Sequence, residues 1–241
     1  MTCKELYKIL KQSFKDIIDR YGIHEKTVSV KAKGFDGSEV NGREGREVTL
    51  TAEYEGVVGE CSTSFAGSVT QFKGTLLQIL EFDIENDPYK RSIYIAVVNA
   101  VMNAHELADD CVSCSGDSKD KCAEHIVHYY KKHNGRVNVL LVGYQPHMLE
   151  GLAANFSVRL LDLDPDNIGK TYFNVKVEHG ADDFADAVKW ADVILCTGSS
   201  LSNGTIVDYI NLPKDVIFYG TTIAGCARIL GLRRLCPYSG N

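Results

Sequence analysis

Leu6, Ile9, Leu10, Phe14, Ile17 and Ile18 recur at helical spacing, so the pattern predicts an amphipathic helix over residues 3–20. Two β-rich runs follow, VSVKAKGF and VTLTAEYEGVVGECSTSF. The second alternates on both sides of Glu55-Gly56, which predicts a hairpin turning there. VTQFKGTLLQIL reads as helical. A further helix is expected from about Pro88 to Ala108, and its stretch SIYIAVVNAVMNAH is apolar enough to be buried on more than one face. Residues 1–110 thus read as a small α+β unit.

Residues 111–134 break the pattern. DDCVSCSGDSKDKCAEH is polar and cysteine-rich, a loop leading into a helix from about Lys119 to His133 that stops at Asn134-Gly135. Residues 135–241 then alternate strand and helix. VNVLLVGY, SVRLLDLD, FNVKVEHG, ADVILCTG and DVIFYG read as strands, and PHMLEGLAANF, DDFADAVKW, NGTIVDYIN and TTIAGCARILG as helices. Apolar strands alternating with helices predict a mostly parallel, doubly wound, Rossmann-like sheet. RRLCPY is expected to add an edge strand, a face that a second copy of the chain can cover in a homo-oligomer.

Composition changes this picture little. The 241 residues carry a net charge of −6, with 17 basic and 21 acidic residues before Asn134 and 9 and 11 after it. Neither half is basic enough for a nucleic-acid backbone to be the expected partner. The charged amphipathic start is unlike a signal peptide, and no run approaches the ~20 apolar residues of a membrane span. The expectation is a cytoplasmic protein without a membrane partner, in which the eight cysteines are reduced.

Ligands of parallel sheets bind outside the carboxyl ends of the strands. Three glycine-bearing loops fall there: Gly143-Tyr144-Gln145-Pro146, Thr197-Gly198 through Asn203-Gly204-Thr205, and Gly220-Thr221-Thr222. Glycine lets a ligand approach the main chain, and free N–H groups at the next helix start favour an anion or a carbonyl oxygen. Ser202, Asn203 and Thr205 serve equally as helix caps. Asp162 ends a strand, where a carboxylate meets a ribose, a metal or solvent. Asn99 and Asn103, four apart on the apolar helix, form a polar stripe that is expected to meet the other unit or line the cleft. Standard fingerprints are missing. There is no G-x-G-x-x-G after the first strand, Ser202 stands where a nucleophile elbow around Ser200 needs glycine, and Asn167 and Phe173 break a calcium loop starting at Asp162.

Cys111 and Cys114 lie a tight turn apart, and Cys122 and His125 lie three apart on the predicted helix. Together they make a Cys3His set suited to zinc, or to an iron–sulfur cluster completed from elsewhere; incidental thiols are the alternative. Cys236 is a late-joining ligand or none. Cys196, at a strand end beside the glycine loop, is a candidate nucleophile with His147 or His179.

LLVGYQP, ADVILCTGSSLSNGT and VIFYGTT, preceded by a helix carrying IAVVNAV, resemble a family of unknown function named for heavy-metal chelation. The resemblance runs over nearly the whole chain. It implies an N-terminal part similar to the N-terminal domain of enolase, followed by a Rossmann-like domain. It matches Asn99, Ala100, Gly143, Tyr144, Pro146, Thr197, Gly198, Asn203, Gly204 and Thr205 to family positions. The TTIAG stretch after VIFYG departs from the glycine-proline expected there. The expected function is metal handling, with a small anionic or metal-bearing ligand in an interdomain cleft. The alternative is an enzyme acting there on a carboxylate or nucleotide-like substrate through Cys196 or Asp162.

Overall fold

The computed structural model describes residues 1–33, 48–64, 71–114, 116–133 and 137–236. Helix α1 (Cys3–Tyr21) opens on a capping box, in which Thr2 Oγ1 accepts the Glu5 N–H and the Glu5 carboxylate accepts the Thr2 N–H. It stops at Gly22, whose φ of 64° continues no helix. Its apolar stripe Leu6, Leu10, Phe14 and Ile18 is fully buried.

Strands β1 (Thr27–Lys33), β2 (Val48–Tyr54), β3 (Val57–Thr63) and β4 (Gln71–Thr75) form an antiparallel sheet in the order β3-β2-β1-β4. The hairpin turns at Glu55 and Gly56, both at positive φ. The expected helix over VTQFKGTLLQIL is corrected: QFKGT pairs with β1, and only α2 (Leu76–Leu80) is helical, started by Thr75 in a second capping box. Helix α3 (Pro88–Ala104) is capped by the Asp87 carboxylate and carries proline at its first position. It ends four residues short of Ala108, because Glu106 adopts φ 55°. The twelve residues Arg91–Met102 are all buried, since α3 lies between the small sheet and the second half of the chain.

That half comprises α4 (Ser118–His133), β5 (Asn138–Val142), α5 (Pro146–Ala153), β6 (Ser157–Asp162), β7 (Thr171–Tyr172), β8 (Val175–His179), α6 (Phe184–Trp190), β9 (Val193–Thr197), α7 (Ser199–Asn203), α8 (Ile206–Ile210), β10 (Asp215–Tyr219) and α9 (Ala224–Leu230). The sheet runs β10-β9-β5-β6-β8-β7, parallel except for β7. Its strands alternate faces. Val139, Leu141, Val193, Leu195, Ile217 and Tyr219 pack in one layer with Ile126 and Tyr130 of α4 and Leu149 and Leu152 of α5. Leu140, Val142, Ile194, Cys196 and Phe218 face the other way, into a core shared with α1, α3 and α9. Each fully buried Leu or Ile contributes about 1.5–3 kcal/mol relative to exposure.

The chain is therefore an α/β fold with an N-terminal α+β subdomain and a Rossmann-like sheet. Two local expectations change. The stretch read as one helix over NGTIVDYIN is two short helices broken at Gly204, with α7 starting earlier at Ser199. RRLCPY contributes one bridge, Arg234 to Phe218, rather than a strand; its last two residues and the helix stop at Asn134-Gly135 lie outside the described residues. No helix among the described residues is long and apolar enough to cross a membrane.

Candidate functional site

The chain leaves β5 toward β6 and β8 on one side, then returns to place β9 and β10 on the other. The loops after β5 and β9 therefore part at one point of the carboxyl edge, the place where such sheets seat ligands. Gly143 turns the chain there at φ 88°, and its N–H donates to the Leu161 carbonyl. A Cβ on Gly143 would stand 2.8 Å from Thr197 Cγ2 and 3.3 Å from the Tyr219 hydroxyl. That hydroxyl donates to the carbonyl oxygens of Val142 and Gly143, both at 2.9 Å. The space beside Gly143 is thus filled by Thr197 and Tyr219, and the loops at the carboxyl ends of the strands form a rim around it.

Asp162 shapes the first wall. Its carboxylate accepts the N–H groups of Tyr144 and Asp164, both at 2.8 Å. Tyr144 is thereby held half-buried, stacked on Tyr172 with ring centroids 4.5 Å apart. Gln145 caps α5 through Met148, Pro146 is exposed at its first turn, and His147 meets Asp120 of α4 at 2.6 Å.

The second loop is mostly a fastener. Ser202 is fully buried and its hydroxyl donates to the carbonyls of Ser62 and Ser199. The Leu201 carbonyl accepts the Tyr7 hydroxyl at 2.7 Å, the Ser202 carbonyl accepts Arg91 Nη1 at 3.0 Å, and the Gly204 carbonyl accepts the Cys3 thiol. Gly198 is buried against Ile223, while Thr197, Ser199, Asn203 and Thr205 stay half-buried. Thr205 precedes α8 without a side-chain cap bond.

The third loop turns at Gly220, φ 88°, whose carbonyl accepts Arg234 Nε. Thr221 Oγ1 lies 3.2 Å from Ser113 Oγ, so the cysteine-bearing connector crosses this rim. The Thr222 hydroxyl accepts the Ser62 N–H at 2.9 Å.

The two asparagines, expected to meet the other unit or to reach a ligand, are bonded to main chain, and Asn99 meets the other unit. Asn99 is fully buried; its Nδ2 donates to the carbonyls of Glu60, Thr221 and Thr222, and its Oδ1 accepts the Gly225 N–H. Asn103 Nδ2 donates to the Val58 carbonyl. The seam between the two parts is closed at these positions. Cavities of about 390 Å³, by Val137 and Asn155, and about 580 Å³, between α1 and residues 81–85, lie away from the rim.

The expected Cys111, Cys114, Cys122 and His125 set is not assembled, which corrects the zinc or iron–sulfur expectation. Among the described residues no group of three or more His, Cys, Asp or Glu stands where it can hold a metal ion. Cys111 belongs to the core shared with α3, its thiol turned to the carbonyls of Ala108 and Asp109, whereas Cys122 lies in the layer on the opposite face of the sheet. Tight spacing in sequence did not reveal that the sheet separates the two. Cys236, not Cys111, shares that buried layer with Cys122. Burial pushes the thiols of Cys111 and Cys196 up to about 12. Cys196 is sealed in the core, its thiol on Ser200 Oγ and the Thr197 carbonyl, the opposite of an activated nucleophile. Nothing in the sequence signalled the Tyr144–Tyr172 stack or the crossing of Ser113 over Thr221, since both join distant segments.

A parallel sheet reversing at β5, helices on both faces and an α+β subdomain in front define the class: a two-part α/β protein with a Rossmann-like half. Residues 128–232 match the family DUF364, described as "Putative heavy-metal chelation", so the chain is matched to a family whose function is unknown. A DUF364 protein of unknown function from Pyrococcus horikoshii is similar in structure, with 15% identity over 89% of this chain and 79% of that one, at a TM-score of 0.50. A second, from Desulfitobacterium hafniense, shows 15% identity over 79% and 74% at a TM-score of 0.48. Glutamyl-tRNA reductase from Methanopyrus kandleri aligns at 12% identity over 81% and 66%, with a TM-score of 0.25. At 15% identity the likeness to the Pyrococcus horikoshii protein concerns the fold alone. No curated protein matches the chain.

Proposed function

We propose that this protein handles metal by binding a small anionic or metal-bearing ligand on the rim at the carboxyl ends of β5, β9 and β10. The reading rests on one observation. Gly143 packs against Thr197 across the point where strand order reverses, and Gly143, Tyr144, Thr197, Ser199 and Gly220 are each half-buried, neither sealed in the core nor fully solvated. Gly143 and Gly220 carry no side chain that would stand over the rim, and Thr197 and Ser199 add short hydroxyls. Such a surface suits oxygen-rich guests. The family description agrees with a metal among them.

A thermal-shift series with inorganic phosphate, citrate, nucleotides and their divalent-metal complexes tests this. A guest that binds only the folded chain adds about 2.7 kcal/mol of stability at a hundredfold excess over its Kd. The expected result is a saturable rise in Tm that Tyr144→Ala and Thr197→Val both diminish. A rise of equal size in both variants, or no rise with any member of the series, removes the rim from consideration.

A further inference from the structure

Helices α4 and α5 lie side by side and run the same way. A Cβ on Gly151 of α5 would stand 3.5 Å from Val127 Cγ2 and 3.6 Å from Ala123 Cβ of α4, and one turn earlier His147 Nδ1 lies 2.6 Å from Asp120 Oδ1. Because α5 starts directly after the first rim loop, three residues on from Tyr144, this pair sits at the carboxyl edge of the sheet. An ionised carboxylate only accepts, so Asp120 fixes the proton on Nδ1 and leaves the lone pair of the neutral ring on Nε2. Nε2 has no hydrogen-bond partner among the described residues, and 40% of the His147 side chain is exposed.

This pairing is the one that orients imidazoles at metal sites, where one ring nitrogen donates its proton to a carboxylate and the other faces the cation. Imidazole nitrogen suits nickel, copper, zinc and iron, whereas calcium and magnesium take oxygen. The rim loops present hydroxyls and peptide groups, so His147 adds a donor that separates these two kinds of cation. Among the described residues no three His, Cys, Asp or Glu side chains stand where they can hold a metal together. A single imidazole therefore binds a cation whose remaining ligands arrive with the guest. A second pair shows what location contributes. His24 Nε2 lies 2.6 Å from Asp19 Oδ1 with 37% of its side chain exposed, yet it lines the cavity between α1 and residues 81–85, away from the rim.

We propose that His147, positioned by Asp120, is the protein's own ligand to a divalent transition metal of the nickel or zinc class, carried to the rim by an oxygen-rich anionic guest. Coordination forms one bond from the Nε2 lone pair to the metal and releases one water from it. The Nδ1 proton stays in its hydrogen bond to Asp120, and no electron is transferred. The proposal rests on the rim reading above and deepens it by naming the class of metal and the residue that selects it.

The test is calorimetric titration of the untagged protein with nickel(II) citrate and with magnesium citrate. The wild type is expected to bind the nickel complex about tenfold or more tightly than the magnesium complex. His147→Gln removes that preference and leaves magnesium citrate unchanged. Asp120→Asn lowers the nickel citrate affinity by about tenfold and also leaves magnesium citrate unchanged, which a general loosening of α4 against α5 would not do. His24→Gln is expected to bind both complexes as the wild type does. A nickel preference that survives His147→Gln overturns the proposal, as does an equal loss in His24→Gln. Two complexes bound equally by the wild type, and both weakened by Thr197→Val, overturn it and leave the rim reading standing. A nickel preference that depends on His147 but not on Thr197 upholds the ligand and overturns the rim. Binding of neither complex overturns both.

Discussion

Gly225 donates its main-chain N–H to Oδ1 of Asn99 at 2.8 Å, so the start of α9 hangs on a side chain of α3. The same amide holds the Glu60, Thr221 and Thr222 carbonyls at 2.7, 3.1 and 3.1 Å. One buried side chain thus joins the small sheet, the rim loop and α9. Aspartate has nearly the same shape but no N–H, and in Asn99→Asp a carboxyl oxygen would face three carbonyl oxygens. Leaving buried polar groups unpaired costs about 1–3 kcal/mol each. Asn99→Asp is expected to lower stability by about 3 kcal/mol or more, read as a fall in the urea midpoint. An unchanged midpoint would show that the amide does not fasten the two parts.

A second fastener is Arg91, buried although charged. Its guanidinium donates Nε to the Ile84 carbonyl at 2.7 Å, Nη2 to Glu85 at 2.8 Å and Nη1 to Ser202 at 3.0 Å, and it lies 4.6 Å from the Tyr7 ring centroid. A planar fork reaches three carbonyls in three directions, whereas an ammonium on a flexible stem cannot. Arg91→Lys is expected to cost about 2 kcal/mol, from hydrogen bonds of a charged donor. Hydrogen exchange locates the effect: amides of α7 and α8 lose protection, while those of β1 and β2 keep it. Uniform loss across the chain would contradict a local role.

Much of this architecture is legible in the amino acids because it follows from local periodicity. The α1 stripe, the Glu55-Gly56 hairpin and the alternating strands of the second half all declare their faces through spacing alone. What spacing does not declare is partnership across the chain. QFKGT reads as helix until β1 supplies its hydrogen-bonding partner. The glycine and hydroxyl residues of 197–205 signal an open loop, yet Tyr7, Arg91 and Ser62, distant in sequence, take up its carbonyls and hydroxyls. The cysteines mislead for the same reason. Cys111 and Cys122 are close in sequence but parted by a sheet, while Cys122 and Cys236 are far apart in sequence and share one buried layer.

The contact between the small sheet and α3 leaves no room at Gly59. A Cβ there would stand 2.1 Å from the Ala100 nitrogen and 2.5 Å from the Asn99 carbonyl carbon, both main-chain atoms of α3. No rotamer relieves a clash with backbone, so the strand or the helix must move. Overpacking typically costs about 1–3 kcal/mol, and more where backbone resists. Gly59→Ala is expected at or above the top of that range, with a large fall in Tm. A Tm within about 2 °C of wild type, for a domain in which 1 kcal/mol shifts it by about 2–4 °C, would mean that β3 and α3 slide apart freely.

Burial of the Cys111 and Cys196 thiols also sets an alkaline limit on stability. Desolvation pushes both from the ordinary value of 9.0 up to about 12 in the folded chain. Below about pH 9 both states keep these protons and the stabilisation is fully present. Above it the unfolded thiols ionise while the folded ones do not, so the folded chain binds more protons and stability falls until about pH 12. Each group contributes a slope approaching about 1.4 kcal/mol per pH unit in that window. Urea unfolding should therefore show a loss of about 2–3 kcal/mol between about pH 8 and pH 10 from these two thiols together. Cys196→Ala should start less stable, for want of the packed sulfur, yet decline less steeply over the same interval. A wild-type profile flat from about pH 8 to pH 10 would show that the native thiols ionise as readily as unfolded ones, which burial at the centre of the fold does not permit.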